Sequence, residues 1–194
     1  MDENLVKIRH ERSKKDFPGL KLDEGEYVEF FFRRAKICLK LIWGATFAGL
    51  VTILVGFLLV LSVQEYIDEM GRRFLFIILF SLLAAAMIIC LLALRLYNGN
   101  KLYITNKHVT QMTMSSPVST SINIIDLVSV EDASFRQENI LQKIFKYGTL
   151  RLSTVGDETT YTFKFSDISP TQLRAVTELI SNAKKSYMAE AGKK

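Results

Sequence analysis

Two long apolar blocks interrupt a chain whose other stretches mix charge with short hydrophobic runs. From Leu41 to Val63 no residue carries a charge, and at ~1.5 Å rise per residue such a helix reaches about 34 Å, enough to cross a bilayer core. Phe74 to Leu94 is likewise uncharged and long enough to return. The pattern predicts a hairpin of two transmembrane helices, 41–63 and 74–94, joined by an extracytoplasmic loop over 64–73.

Beyond Tyr97 the hydrophobic period changes to two. Leu150 and Leu152 alternate with Thr149, Arg151 and Ser153, while Tyr161, Phe163 and Phe165 alternate with Thr160, Thr162 and Lys164. These read as half-buried strands, with Val155 to Glu158 supplying the turn of a hairpin. Leu102 to Thr105, Val109 to Met114, Ser119 to Ile125 and Leu127 to Glu131 read as four more, broken around Asn106, Pro117 and Asp126. Ser169, Pro170 and Gln172 match a capped helix start, and Leu173, Val176, Ile180 and Ala183 then form an apolar stripe. The expected soluble domain, 97–187, is a small barrel or a pair of orthogonal antiparallel sheets closed by a C-terminal helix, with a tail over 188–194.

Before the first span, residues 1–21 are charged and interrupted by Pro18, the composition of a mobile tail. Residues 22–40 form a pre-membrane segment. Phe30, Phe31 and Phe32 beside Arg33 and Arg34 suit the headgroup zone and read as an interfacial helix. The alternative is that they extend the span or pack on the soluble domain.

Basic residues set the orientation. Arg33, Arg34, Lys36 and Lys40 precede the first span, and Arg95, Lys101 and Lys107 follow the second. The intervening loop has only Arg72 and Arg73 against Glu65, Asp68 and Glu69. Both termini are therefore expected in the cytoplasm, on a two-pass protein of the inner cell membrane. The first span begins too late and runs too long for a cleavable signal. Ala45, Gly49, Thr52 and Gly56 share one helical face; Ser81 and Ala85 offer a counter-surface, which suits close packing within the hairpin or between copies.

The chemistry legible in the sequence is sparse. Neither span holds Asp, Glu, Lys, Arg or His, which argues against a transporter or proton path and leaves a pore or transport accessory as a minor alternative. Cys38 and Cys90 are the only cysteines and cannot form a metal-binding pair. His10 and His108 read as surface residues. Ser115, Ser116, Ser119 and Ser121 lack a nucleophile elbow or a histidine partner, and the glycines are scattered rather than grouped around a phosphate. No catalytic residue, metal site or cofactor is expected. A net charge of +5 without a clustered basic reader does not suggest nucleic acid. The candidate contacts to anionic lipid are Arg33, Arg34, Lys101, Lys107, Arg136, Lys143, Lys146 and Arg151.

Three stretches, YITNKHV at 103–109, INIIDLVSVE at 122–131 and IFKYGTLRLST at 144–154, resemble the bacterial pleckstrin-homology-like family long called the membrane-flanked domain. The Gly25 and Glu26 pair is similar to that family's pre-membrane motif. The resemblance implies seven strands in a two-sheet barrel capped by the last helix, and it brings no catalytic residues. Only six strands are legible here; the seventh would be short or lie between Ala133 and Tyr147, where Ile140, Ile144 and Phe145 instead suggest a short helix. The expectation is a membrane-tethered, noncatalytic binding or assembly module, with an anionic-lipid-binding domain as the alternative. Its partners would be membrane lipids, another copy or a membrane protein.

Overall fold

The computed structural model describes residues 3–62, 69–154 and 160–191. The chain divides into two compact units, Lys36–Asn98 and Met1–Ala35 with Gly99–Lys194.

The first unit is a helix pair, α2 (Lys36–Ser62) and α3 (Glu69–Gly99). Both are long and apolar enough to cross a membrane. Most of their side chains are exposed, while a half-buried row recurs at helical spacing through Ile42, Thr46, Ile53 and Phe57 of α2 and Leu75, Leu79 and Leu83 of α3, with Cys90 buried. Phe57 and Phe76 bring their rings within 5.5 Å across the pair. The small-residue face of α2 is not filled by α3, however, for no atom lies within 4 Å of where a Cβ would stand on Gly44, Gly49 or Gly56. Half of the expected loop, 64–68, lies outside the described residues, and the other half, with Arg72 and Arg73, stands inside α3.

The second unit, among the described residues, is a seven-stranded, two-sheet fold that the apolar helix pair interrupts in sequence. β1 (Val28–Arg33) ends before the spans, while β2 (Lys101–Thr105) begins after them, and the two pair antiparallel through Phe32 with Leu102 and Arg33 with Lys101. β3 (His108–Met114) and β4 (Thr120–Asp126) complete a sheet in the order β1-β2-β3-β4. A 3-10 turn over Leu127–Ser129 then leads into β5 (Val130–Arg136), which pairs with β6 (Gly148–Thr154) and that with β7 (Thr160–Ser166). The turn expected at 155–158 lies outside the described residues. The sheets meet at one corner, where Arg34 bridges Ser166 and the Gln111 side chain donates to the Thr162 carbonyl; they do not close into a barrel.

Alternation places Phe30, Phe32, Leu102, Ile104 and Val109 of the first sheet opposite Val130, Ala133, Leu150, Leu152 and Phe163 of the second. α5 (Pro170–Ala191) lays Val176 and Ile180 on this core. Its start is the capping box read from the sequence, with Gln172 N–H donating to Ser169 Oγ and Ser169 N–H to Gln172 Oε1. Each fully buried aliphatic side chain contributes about 1.5–3 kcal/mol, so the core's stability is distributed over both sheets.

Three expectations are corrected. Residues 28–33 are not an interfacial helix but the missing seventh strand. Their Phe30, Phe31 and Phe32 alternate between the core and the outer face, as a strand requires. The N-terminal segment is not loose throughout, because α1 (Glu3–Asp16) lies against β1. Ser13 Oγ accepts from Val28 N–H, and the Phe17 ring contacts Phe31 and Tyr103 on the outer face. Leu127 to Ser129 turns before the strand starts, whereas the expected short helix is present as α4 (Ile140–Ile144).

Three outcomes test this arrangement. Joining Ala35 to Gly99 through a short turn, with residues 36–98 removed, should yield a cooperatively unfolding domain, since antiparallel neighbours lie only about 5 Å apart. The fragment 99–194, lacking β1 and α1, should show a collapsed, poorly dispersed amide NMR spectrum. Gly148→Ala should cost about 1–3 kcal/mol in a denaturant melt, because its Cβ would stand 2.5 Å from the Arg136 carbonyl oxygen and 2.7 Å from the Phe135 ring.

Candidate functional site

The densest polar constellation joins the segment before the spans to the first turn after them. Gly25, at φ +71°, makes the turn that aims Glu26 inward. Glu26 is 3% exposed. Its Oε1 accepts from the Thr105 hydroxyl and faces His108 Nδ1 at 2.9 Å, while Oε2 accepts from Asp23 N–H at 2.9 Å. Thr105 Oγ1 in turn accepts from the His108 and Lys107 amides, which fixes the tight β2–β3 connection. Around this, Asn106 accepts from Tyr27 N–H and donates to the Gly25 carbonyl, and Lys107 Nζ donates to the Glu24 carbonyl. His10 of α1 meets the Glu26 carbonyl through Nδ1. Both histidines are thus half-buried participants in this clasp, correcting their reading as surface residues.

Burial alone would raise the Glu26 pKa. The Thr105 hydroxyl, the Asp23 amide and His108 outweigh it, holding the carboxyl below its ordinary 4.5. His108 Nε2 also stands 3.3 Å from Asp126 Oδ1, so each ring nitrogen faces a carboxylate. Asp23, Glu26 and His108 have one donor atom each within 4.8 Å of one another, a spacing compatible with a metal. Both Glu26 oxygens already accept from N–H or O–H donors. The cluster is therefore built as a clasp, and a cation there would displace those donors.

Beside it lies an open cleft of about 900 Å³, bordered by Lys107, His108, Asp126, Ser129 and Tyr187. Its edge mixes Asp23 and Asp126 with one lysine and the histidine.

The eight expected lipid contacts separate into groups. Arg33 and Lys101 are strand partners at the end of the first sheet, with Arg33 over the Phe31 ring. Burial raises the pKa of the neighbouring Tyr103, and Arg33 partly offsets it. Arg34 is half-buried where its backbone bridges Ser166. Lys107 belongs to the clasp. Arg136, Lys143 and Lys146 are exposed on the β5–β6 connection, and Arg151 is half-buried in the row of Ser134 and Thr162. Reasoning from residue type missed Glu26, Thr105 and Asn106. Their signal lay in the Gly25–Glu26 pair and the Thr105–Asn106 turn, both inside stretches that carried the family resemblance.

The family model described as "Bacterial PH domain" matches residues 39–184. That match begins after β1, so the strand contributed from before the spans stands outside it. Among solved structures, the chain is similar to a DUF1696 family protein with a pleckstrin-homology domain from Shewanella loihica PV-4. Identity is 10%, coverage is 44% of this chain and 70% of that one, and the TM-score is 0.32. No match is found among curated proteins.

Replacing Glu26 by Gln should cost about 1–3 kcal/mol at neutral pH, the range for leaving buried partners unsatisfied. The wild-type contribution is complete above the unfolded carboxyl pKa and is lost as pH falls through the lower folded value. The gap between wild type and Glu26→Gln, read by circular dichroism melts, should therefore narrow as pH drops below about 4.5.

Proposed function

The chain belongs to the bacterial PH domain family, and from that premise we propose that it is a noncatalytic binding or assembly module tethered to the inner cell membrane, with both termini in the cytoplasm. The observation that carries this reading is the position of the two apolar helices. They are spliced between β1 and β2, strands that are hydrogen-bonded to each other. The folded unit is thereby attached at two neighbouring points, Ala35 and Gly99, rather than hung from one flexible linker.

Such a double attachment restricts the unit's distance from the bilayer and raises its effective concentration for partners at that surface, so weak contacts suffice. The basic residues flanking the helices favour cytoplasmic retention of both ends. The open cleft beside His108, with Tyr187 as its aromatic border and charges of both signs, is the surface we assign to a protein partner.

Alkaline carbonate should leave the full chain in the membrane pellet. A C-terminal tag should resist protease on intact spheroplasts and be removed from inverted vesicles; the opposite pattern would reverse the orientation. A photoreactive phenylalanine replacing Tyr187 should give a discrete protein adduct in membranes, weakened by Lys107→Glu. Adducts to lipid alone would shift the reading to the lipid-binding alternative.

A further inference from the structure

The β5–β6 connection carries an exposed apolar knob that the fold does not use. On α4 and the residue after it, Ile140, Leu141, Ile144 and Phe145 are 77%, 59%, 64% and 48% exposed. Four large apolar side chains within six residues form a concentrated patch rather than scattered surface hydrophobics. They are also held rigidly. Asn139 and Gln142 form a capping box, with Gln142 Oε1 accepting from the Asn139 amide. Gln137 Nε2 staples the two sides by donating to the Gln142 and Tyr147 carbonyls. Phe145 and Tyr147 amides bond back to Leu141 and Gln142 carbonyls, and Lys146 takes φ 53°, an unusual conformation for a residue with a side chain.

These features together specify an occupant. A loop entering a nonaqueous phase must satisfy its backbone groups internally, and many of this loop's are already paired. Its charges are Arg136, Lys143 and Lys146 against Glu138, an excess of cations beside the apolar tip. Apolar residues flanked by lysine and arginine match the boundary between acyl chains and anionic headgroups. We propose that the α4 knob is an interfacial wedge that dips into an anionic bilayer surface and gives the tethered unit a third point of attachment. This rests on the membrane-tethered reading, because the tether keeps a bilayer within reach.

The test uses the full chain in nanodiscs, with Trp43→Phe removing the single native tryptophan. Ile144→Trp then reports the knob, and Ser181→Trp reports an exposed position on α5. In discs of phosphatidylcholine and phosphatidylglycerol, the Trp at 144 should be quenched by brominated lipid and shielded from acrylamide at least threefold relative to the Trp at 181. Lys143→Glu with Lys146→Glu should remove most of that shielding. Circular dichroism melts must match wild type for each variant. If the Trp at 144 is as accessible to acrylamide as the Trp at 181, the wedge is wrong. If it is shielded but insensitive to brominated lipid, and shielding disappears at one copy per disc, the knob is a contact between copies and the wedge is equally wrong. Failure of the tether would show separately, as loss of the chain from the discs or from the carbonate pellet.

Discussion

The carboxylate of Glu26 is the interaction on which the folded unit turns. It sits at the end of a segment that precedes the spans and is held by Thr105 and His108, which follow them. Without it, β1 would still be bound to the sheet by its ladder to β2 and by α1, but the Gly25–Glu26 turn would lose its side-chain link to Thr105 and His108. Because the carboxylate is buried with its acceptors occupied, removing any one partner leaves a polar group stranded, and the cost falls on the junction between the two halves of the domain.

That junction explains much of the architecture. β1 and β2, hydrogen-bonded neighbours in the sheet, are separated in sequence by the whole apolar helix pair. Forming it is a nonlocal event whose loop-closure entropy rises with loop length, though only slowly. The antiparallel helix pair brings the chain back, so Arg33 and Lys101 arrive as partners. Phe17, just after α1, then covers the outer face of this pair, while the outer face of β4 is exposed at Ile122 and Ile124.

The site and the fold thus divide the motifs between them. The stretches that carried the family resemblance before and just after the spans are turn and clasp residues, and the Tyr147–Gly148–Thr149 stretch provides a close backbone approach against Phe135 and Arg136. They specify how the chain folds. The open surfaces, the cleft beside His108 and the knob on α4, use residues that are ordinary by composition.

The sequence alone determined the two apolar helices, the period-two strands after them and the capped closing helix. Each of these rests on a local signal: an uncharged run, an alternation, or a capping box four residues long. Even α4 was legible from Ile140, Ile144 and Phe145. The role of residues 28–33 was decided only by tertiary structure, because three consecutive phenylalanines beside two arginines satisfy a membrane interface and a strand equally well. Their partner lies beyond the spans. The same reason hid the clasp: Glu26, His10 and His108 are unremarkable where they stand in the chain, and only the pairing of β1 with β2 brings them within hydrogen-bonding distance.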